Sequence, residues 1–101
     1  MTANHFVYRL IPPRPTFAMD MTDAEAAIMS EHAAYWMDFF EQGRVVVFGV
    51  VLDREASWGL AVVEADTEDD LRAIASNDPA VRTNMCTFEI GLMPDPSVRS
   101  G

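Results

Sequence analysis

The chain has no lysine, a single cysteine, two histidines and no apolar run longer than a strand, and each shortage removes a kind of chemistry. Without lysine there is no amine to form a Schiff base or to act as a base with a depressed pKa. Cys86 alone cannot close an intrachain disulfide, which suits a reducing compartment, so a cytoplasmic location is expected. The longest apolar stretch, Val45 to Leu52, falls well short of the roughly 18 residues of a membrane span. Met1 to Leu10 lacks the basic and apolar regions of a secretory leader, and no membrane partner is expected. Two histidines and one cysteine in no compact spacing argue against a metal site. A GxGxxG loop, a P-loop and a nucleophile elbow are all missing, so the best-marked nucleotide and serine-hydrolase classes have no support. Basic residues are scarce too: seven arginines against 16 acidic residues give a net charge of -9. That charge repels phosphate backbones and anionic headgroups, which excludes a nucleic-acid partner from the expectations.

What remains is a foldable composition, 50% hydrophobic and 23% charged over 101 residues. This suits one domain, assigned to residues 1–96, followed by a short polar tail at 97–101. His5 to Ile11 mixes β-branched and aromatic residues as a strand does, and Pro12-Pro13-Arg14-Pro15 then opens a stiff loop running to Thr22. Thr22-Asp23-Ala24-Glu25 has the form of a capping box and predicts a helix through Gln42, with Gly43 as its stop. Ile28, Tyr35, Trp36 and Phe39 recur on one face of this helix, and Glu31, Asp38 and Glu41 lie on the other. Arg44 to Asp53 and Trp58 to Ala65 read as a hairpin around a short polar turn. Thr67 caps a second helix that carries Glu68, Asp69 and Asp70 in its first turn and ends at Asn77-Asp78-Pro79. After a link from Ala80 to Asn84, Cys86 to Leu92 forms the last strand.

The order β-α-β-β-α-β is the ferredoxin-like α+β arrangement, with two helices on one face of a four-stranded antiparallel sheet. Strict alternation places Val45, Val47 and Val51 on one face of the second strand and Val46, Phe48, Val50 and Leu52 on the other. Both faces are apolar, and two helices cover only one. The uncovered face predicts a homodimer packed sheet to sheet, a dimeric α/β barrel.

His32 falls four residues after Ile28 and seven before Phe39, within the apolar stripe of the first helix. It can serve there as a half-buried histidine bonded to a backbone carbonyl, or as a general acid or base in a pocket between helix and sheet. Asn77-Asp78-Pro79 is ordinary turn chemistry, yet an aspartate beside a buried imidazole would fix its tautomer and stabilise its protonated form. Arg9 and Arg14, flanking the end of the first strand, are candidates to bind a carboxylate or enolate, or else form surface ion pairs. Aromatics including Tyr35 and Phe48 pack a core or wall a cavity for a small aromatic ligand.

The stretches Glu31-His32-Ala33-Ala34-Tyr35-Trp36, Glu41 to Gly49 and Ala75-Ser76-Asn77-Asp78-Pro79-Ala80-Val81 resemble the YCII-related (YciI-like) family over nearly the whole chain. The matching positions are His32, Gly43, Gly49 and the Asp78-Pro79 pair. The resemblance implies a ferredoxin-like dimeric barrel with an enzymatic site at His32 and Asp78. Many members carry an arginine shortly before the histidine, where Ile28, Met29 and Ser30 stand here, which leaves Arg9 or Arg14 to supply the charge. The function expected is a small cofactor-free enzyme whose His32/Asp78 pair performs isomerisation or elimination on a small cyclic or aromatic metabolite. The alternative is a non-catalytic dimeric domain that binds or presents a small molecule.

Overall fold

The computed structural model describes residues 4–99. Four strands form one antiparallel sheet: β1 (Asn4–Ile11), β2 (Val45–Leu52), β3 (Ser57–Ala65) and β4 (Thr87–Met93), in the order β2-β3-β1-β4. The crossovers are α2 (Asp23–Glu41) and α3 (Glu68–Ser76). Two single-turn helices occupy segments expected to be irregular: α1 (Phe17–Asp20) within the proline-rich loop and α4 (Pro79–Arg82) after α3. Phe17 is buried and anchors α1. In α4, Pro79 is already set to a helical φ at the first turn, and the Asp78 side chain accepts the Ala80 amide at 2.9 Å. The capping box at Thr22 forms on both sides, with Thr22 Oγ1 accepting from the Glu25 amide and Glu25 accepting from the Thr22 amide.

β1 is central, paired to β3 and β4, and its alternation divides the sheet. Phe6, Tyr8 and Leu10 face the helices and are buried with Ala61, Val63 and Ala65 of β3, Trp36 of α2, and Leu71 and Ala75 of α3. The expected alternation of β2 fails at one point. A bulge between Val45 and Val47 sets two residues of β2 against one of β3, which turns Val45 to the helix side along with Phe48. Val45 is 5% exposed, against 43% for Val46 and 49% for Val47. Beyond Phe48 the helical layer stops short, leaving Val50 and Leu52 exposed. The opposite face carries Val7, Val47, Val51, Leu60 and Val62, brought side by side by the strand register. Among the described residues no helix is long and apolar enough to cross a membrane.

Asp95 to Arg99 follow β4 without regular structure; Ser100 and Gly101, the last residues of the expected tail, lie outside the described residues.

Candidate active site

The site is built around one carboxylate. Asp78, between α3 and α4, is completely buried. Its Oδ2 accepts from the Trp36 indole at 2.7 Å and the Tyr8 hydroxyl at 3.2 Å, and its Oδ1 accepts from the Ala80 amide at 2.9 Å. His32 Nδ1 lies 3.0 Å from Oδ1 and 2.8 Å from Oδ2. His32 and Trp36 are four residues apart, hence stacked on the same face of α2, and Tyr8 reaches the group from β1. Two elements distant in sequence, β1 and α2, therefore converge on a residue that also caps a helix.

Burial opposes ionisation of Asp78, but the His32 ring, through its hydrogen bond and its charge, outweighs that cost together with Trp36 and the Ala80 amide. The carboxyl is held below its usual range. Burial first, then the Asp78 charge and hydrogen bond, push the Tyr8 phenol far up, so it remains a protonated donor. An ionised carboxylate only accepts, which requires a proton on His32 Nδ1 in either charge state of the ring, and when the ring is neutral Nε2 is the free acceptor. Burial and the Asp78 charge push the Cys86 thiol up to about 11, so it is not a poised nucleophile. Among the described residues no three His, Cys, Asp or Glu side chains gather as a metal site would require.

A cavity of about 320 Å³ opens beside His32, between α2, the β2–β3 end of the sheet and the segment around α1. Its walls are mainly apolar, with Trp36 and Met29 from α2, Phe17 and Met21 from the loop, and Leu10 and Phe48 from the sheet. A base at the rim of such a cavity can take or return a proton where water competes little.

His32 and Asp78, separated by 46 residues in sequence, are thus brought into contact, and Phe48 stands in the cavity wall. The other three candidates lie elsewhere. Arg9 is out of phase with Tyr8 and Leu10, so it projects from the opposite sheet face, over the Trp58 ring and 3.7 Å from Glu89. Arg14 is held by Glu25, at 2.8 Å through two nitrogens, and by Asp20 at 2.9 Å. Tyr35 turns to the α3 side, where its hydroxyl donates to the Ile74 carbonyl at 2.7 Å and its ring packs edge-on against Phe39. Neither arginine replaces the one absent before His32. Sequence reasoning missed Tyr8 and Trp36 as donors to Asp78: the i, i+4 spacing from His32 was a signal for Trp36, but nothing local marked Tyr8.

A four-stranded antiparallel sheet with a histidine–carboxylate pair between sheet and helices defines a ferredoxin-like α+β domain with a candidate small-molecule site. The chain belongs to the YCII-related domain family, whose model matches residues 6–92. Among solved structures it is similar to 5-chloro-2-hydroxyhydroquinone dehydrochlorinase from Burkholderia phenoliruptrix in complex with 2,5-dihydroxybenzoquinone, at 15% identity and a TM-score of 0.63 over 85% of this chain and 90% of that one. SnoaB, a cofactor-independent oxygenase from Streptomyces nogalater, gives 17% identity and a TM-score of 0.46 over 97% of each chain. No curated protein matches this chain.

Proposed function

We propose that the protein is a small cofactor-free enzyme in which His32 moves a proton on a small cyclic or aromatic oxygenated metabolite, by isomerisation or elimination. The observation that carries this reading is the contact of the buried Asp78 carboxylate with His32 Nδ1 at the edge of the cavity. His32 Nε2 takes a proton from the substrate. In an isomerisation the proton returns to another substrate atom; in an elimination the electron pair it leaves expels a leaving group as an anion. Asp78 orients the ring and balances the imidazolium formed. The Burkholderia neighbour is a dehydrochlorinase of 5-chloro-2-hydroxyhydroquinone, a ring of this class, and that guides the assay.

Turnover of 5-chloro-2-hydroxyhydroquinone and of a panel of hydroxylated rings and lactones should be compared in the wild type, His32→Ala and Asp78→Asn. His32→Ala is expected to lower kcat by about 100-fold or more while binding persists. A wild type that binds a ring tightly but converts none of the panel would replace this reading with a binding domain.

We also propose that two copies pack through their open sheet faces. Val7, Val47, Val51, Leu60 and Val62 support it, since they share a face that no helix among the described residues covers. Sedimentation equilibrium is expected to give twice the 11.2 kDa chain mass, and Val62→Asp should shift it to monomer. A wild type that stays monomeric at micromolar concentration would exclude the pairing.

A further inference from the structure

The cavity holds a second polar point. Ser57, the first residue of β3, lines it and is only 8% exposed. Its backbone is pinned by a 3.2 Å hydrogen bond from its amide to the Pro15 carbonyl, so the proline-rich loop sets where the side chain sits. Gly59 and Ala61 follow on the same face of β3 and leave a bed of small groups between the larger side chains Leu10, Phe48 and Trp36.

The polar side chains on the wall can be followed one by one. Tyr8 and Trp36 give their hydrogen-bonding protons to Asp78. Trp58 alternates to the opposite sheet face beneath Arg9, with its indole nitrogen buried. That leaves His32 and Ser57, whose hydroxyl makes no side-chain hydrogen bond among the described residues and is not sealed off from the cavity. No Asp, Glu or Arg lines the cavity, so a permanently charged substituent meets no fixed counter-charge there beyond the imidazole. The volume of about 320 Å³ is at the small end of the roughly 300–1,000 Å³ of ligand pockets, the size for one or two rings.

We propose that Ser57 is the specificity-determining second anchor of the cavity: its hydroxyl bonds one oxygen of an uncharged flat ring while another oxygen of the same ring lies at His32. The inference rests on reading the cavity as a small-molecule site, and it adds a requirement for two separated oxygens and a bias against carboxylates.

The test is calorimetric binding of phenol, catechol, resorcinol, hydroquinone and 2,5-dihydroxybenzoate to the wild type and Ser57→Ala. At least one dihydroxybenzene is expected to bind about tenfold more tightly than phenol, the gain of one good hydrogen bond. Ser57→Ala should abolish that preference, bringing the dihydroxybenzene down to the affinity of phenol for the same variant, and 2,5-dihydroxybenzoate should bind more weakly than hydroquinone. The proposal is overturned if no dihydroxybenzene binds, if the preference survives Ser57→Ala, or if the carboxylate binds as well as the neutral ring. Failure here is separable from failure of the enzymatic reading. Ser57-dependent binding without turnover removes only the enzyme, and His32-dependent turnover without Ser57-dependent binding removes only the second anchor.

Discussion

A histidine stands beside a carboxylate on either side of the sheet, His5 on β1 itself and His32 on α2 in the helical layer, and the two rings are equally exposed, with side chains at 15% for both. On the open face His5 Nε2 lies 3.4 Å from Glu64, across the β1–β3 ladder, without hydrogen-bond geometry. On the helix face His32 is 2.8 Å from Asp78. The difference lies in the carboxylates. The Glu64 side chain is 36% exposed and water can solvate it, whereas that of Asp78 is 0% exposed and depends on donors the fold brings to it. A histidine's own burial therefore says little about its role, and the anchoring of its partner says more.

The strongest way to break this contrast is to remove each carboxylate in turn. Asp78→Ala strands the Trp36, Tyr8 and Ala80 donors and the cap of α4, and should cost about 3–5 kcal/mol in urea unfolding. A loss below about 1 kcal/mol would show that the buried network is dispensable. Next in size is the removal of single donors. Trp36→Phe should destabilise by about 1–3 kcal/mol and Tyr8→Phe by less, since the indole bond is 2.7 Å and the phenol bond 3.2 Å; the reverse order would contradict the assignment of the shorter bond as the stronger.

The pH dependence sharpens the contrast further. The folded Asp78 carboxyl titrates below its ordinary value, so below about pH 4 the unfolded chain binds more protons than the folded one. Its contribution is full above that range and disappears as the pH falls through the folded value. Glu25 loses its own contribution in the same direction: the Arg14 hydrogen bonds, then the Thr22 amide, lower it to about 2. Unfolding measured between pH 5 and pH 2 should therefore show a slope that Asp78→Asn reduces, and an unchanged slope would remove Asp78 as its source. The smallest effect belongs to the open face, where Glu64→Gln should change stability by no more than about 0.5 kcal/mol. A larger loss in dilute, monomeric protein would mean that the two carboxylates differ less than their burial suggests.

Much of this architecture was legible locally. The Thr22 capping box, the helical stripe through Trp36, the hairpin around Arg54 and the acidic first turn of α3 are short-range features, and each appears in the fold. The bulge at Val46 was not legible, because a run of valines gives no local sign of a residue inserted against β3. Nor were α1 and α4, since a single turn has too little periodicity to stand out from a loop. At the site, spacing placed His32 on the inner face of α2, while Asp78 was legible as a turn former and is in fact both cap and partner. Arg9 and Arg14 were weighed for their charge; strand phase sends one to the other face and two carboxylates occupy the other.

Composition and pattern by themselves determined the order of the main elements, the acidic exterior and the lack of lysine chemistry and of an intrachain disulfide, because these depend on residue identity and on periods of a few residues. Only the tertiary structure decided that Tyr8, His32, Trp36 and Asp78 share one buried carboxylate, and that Ser57 lines the cavity while Arg9 does not. Contacts spanning 46 and 70 residues depend on strand register and helix crossover, which no local pattern encodes.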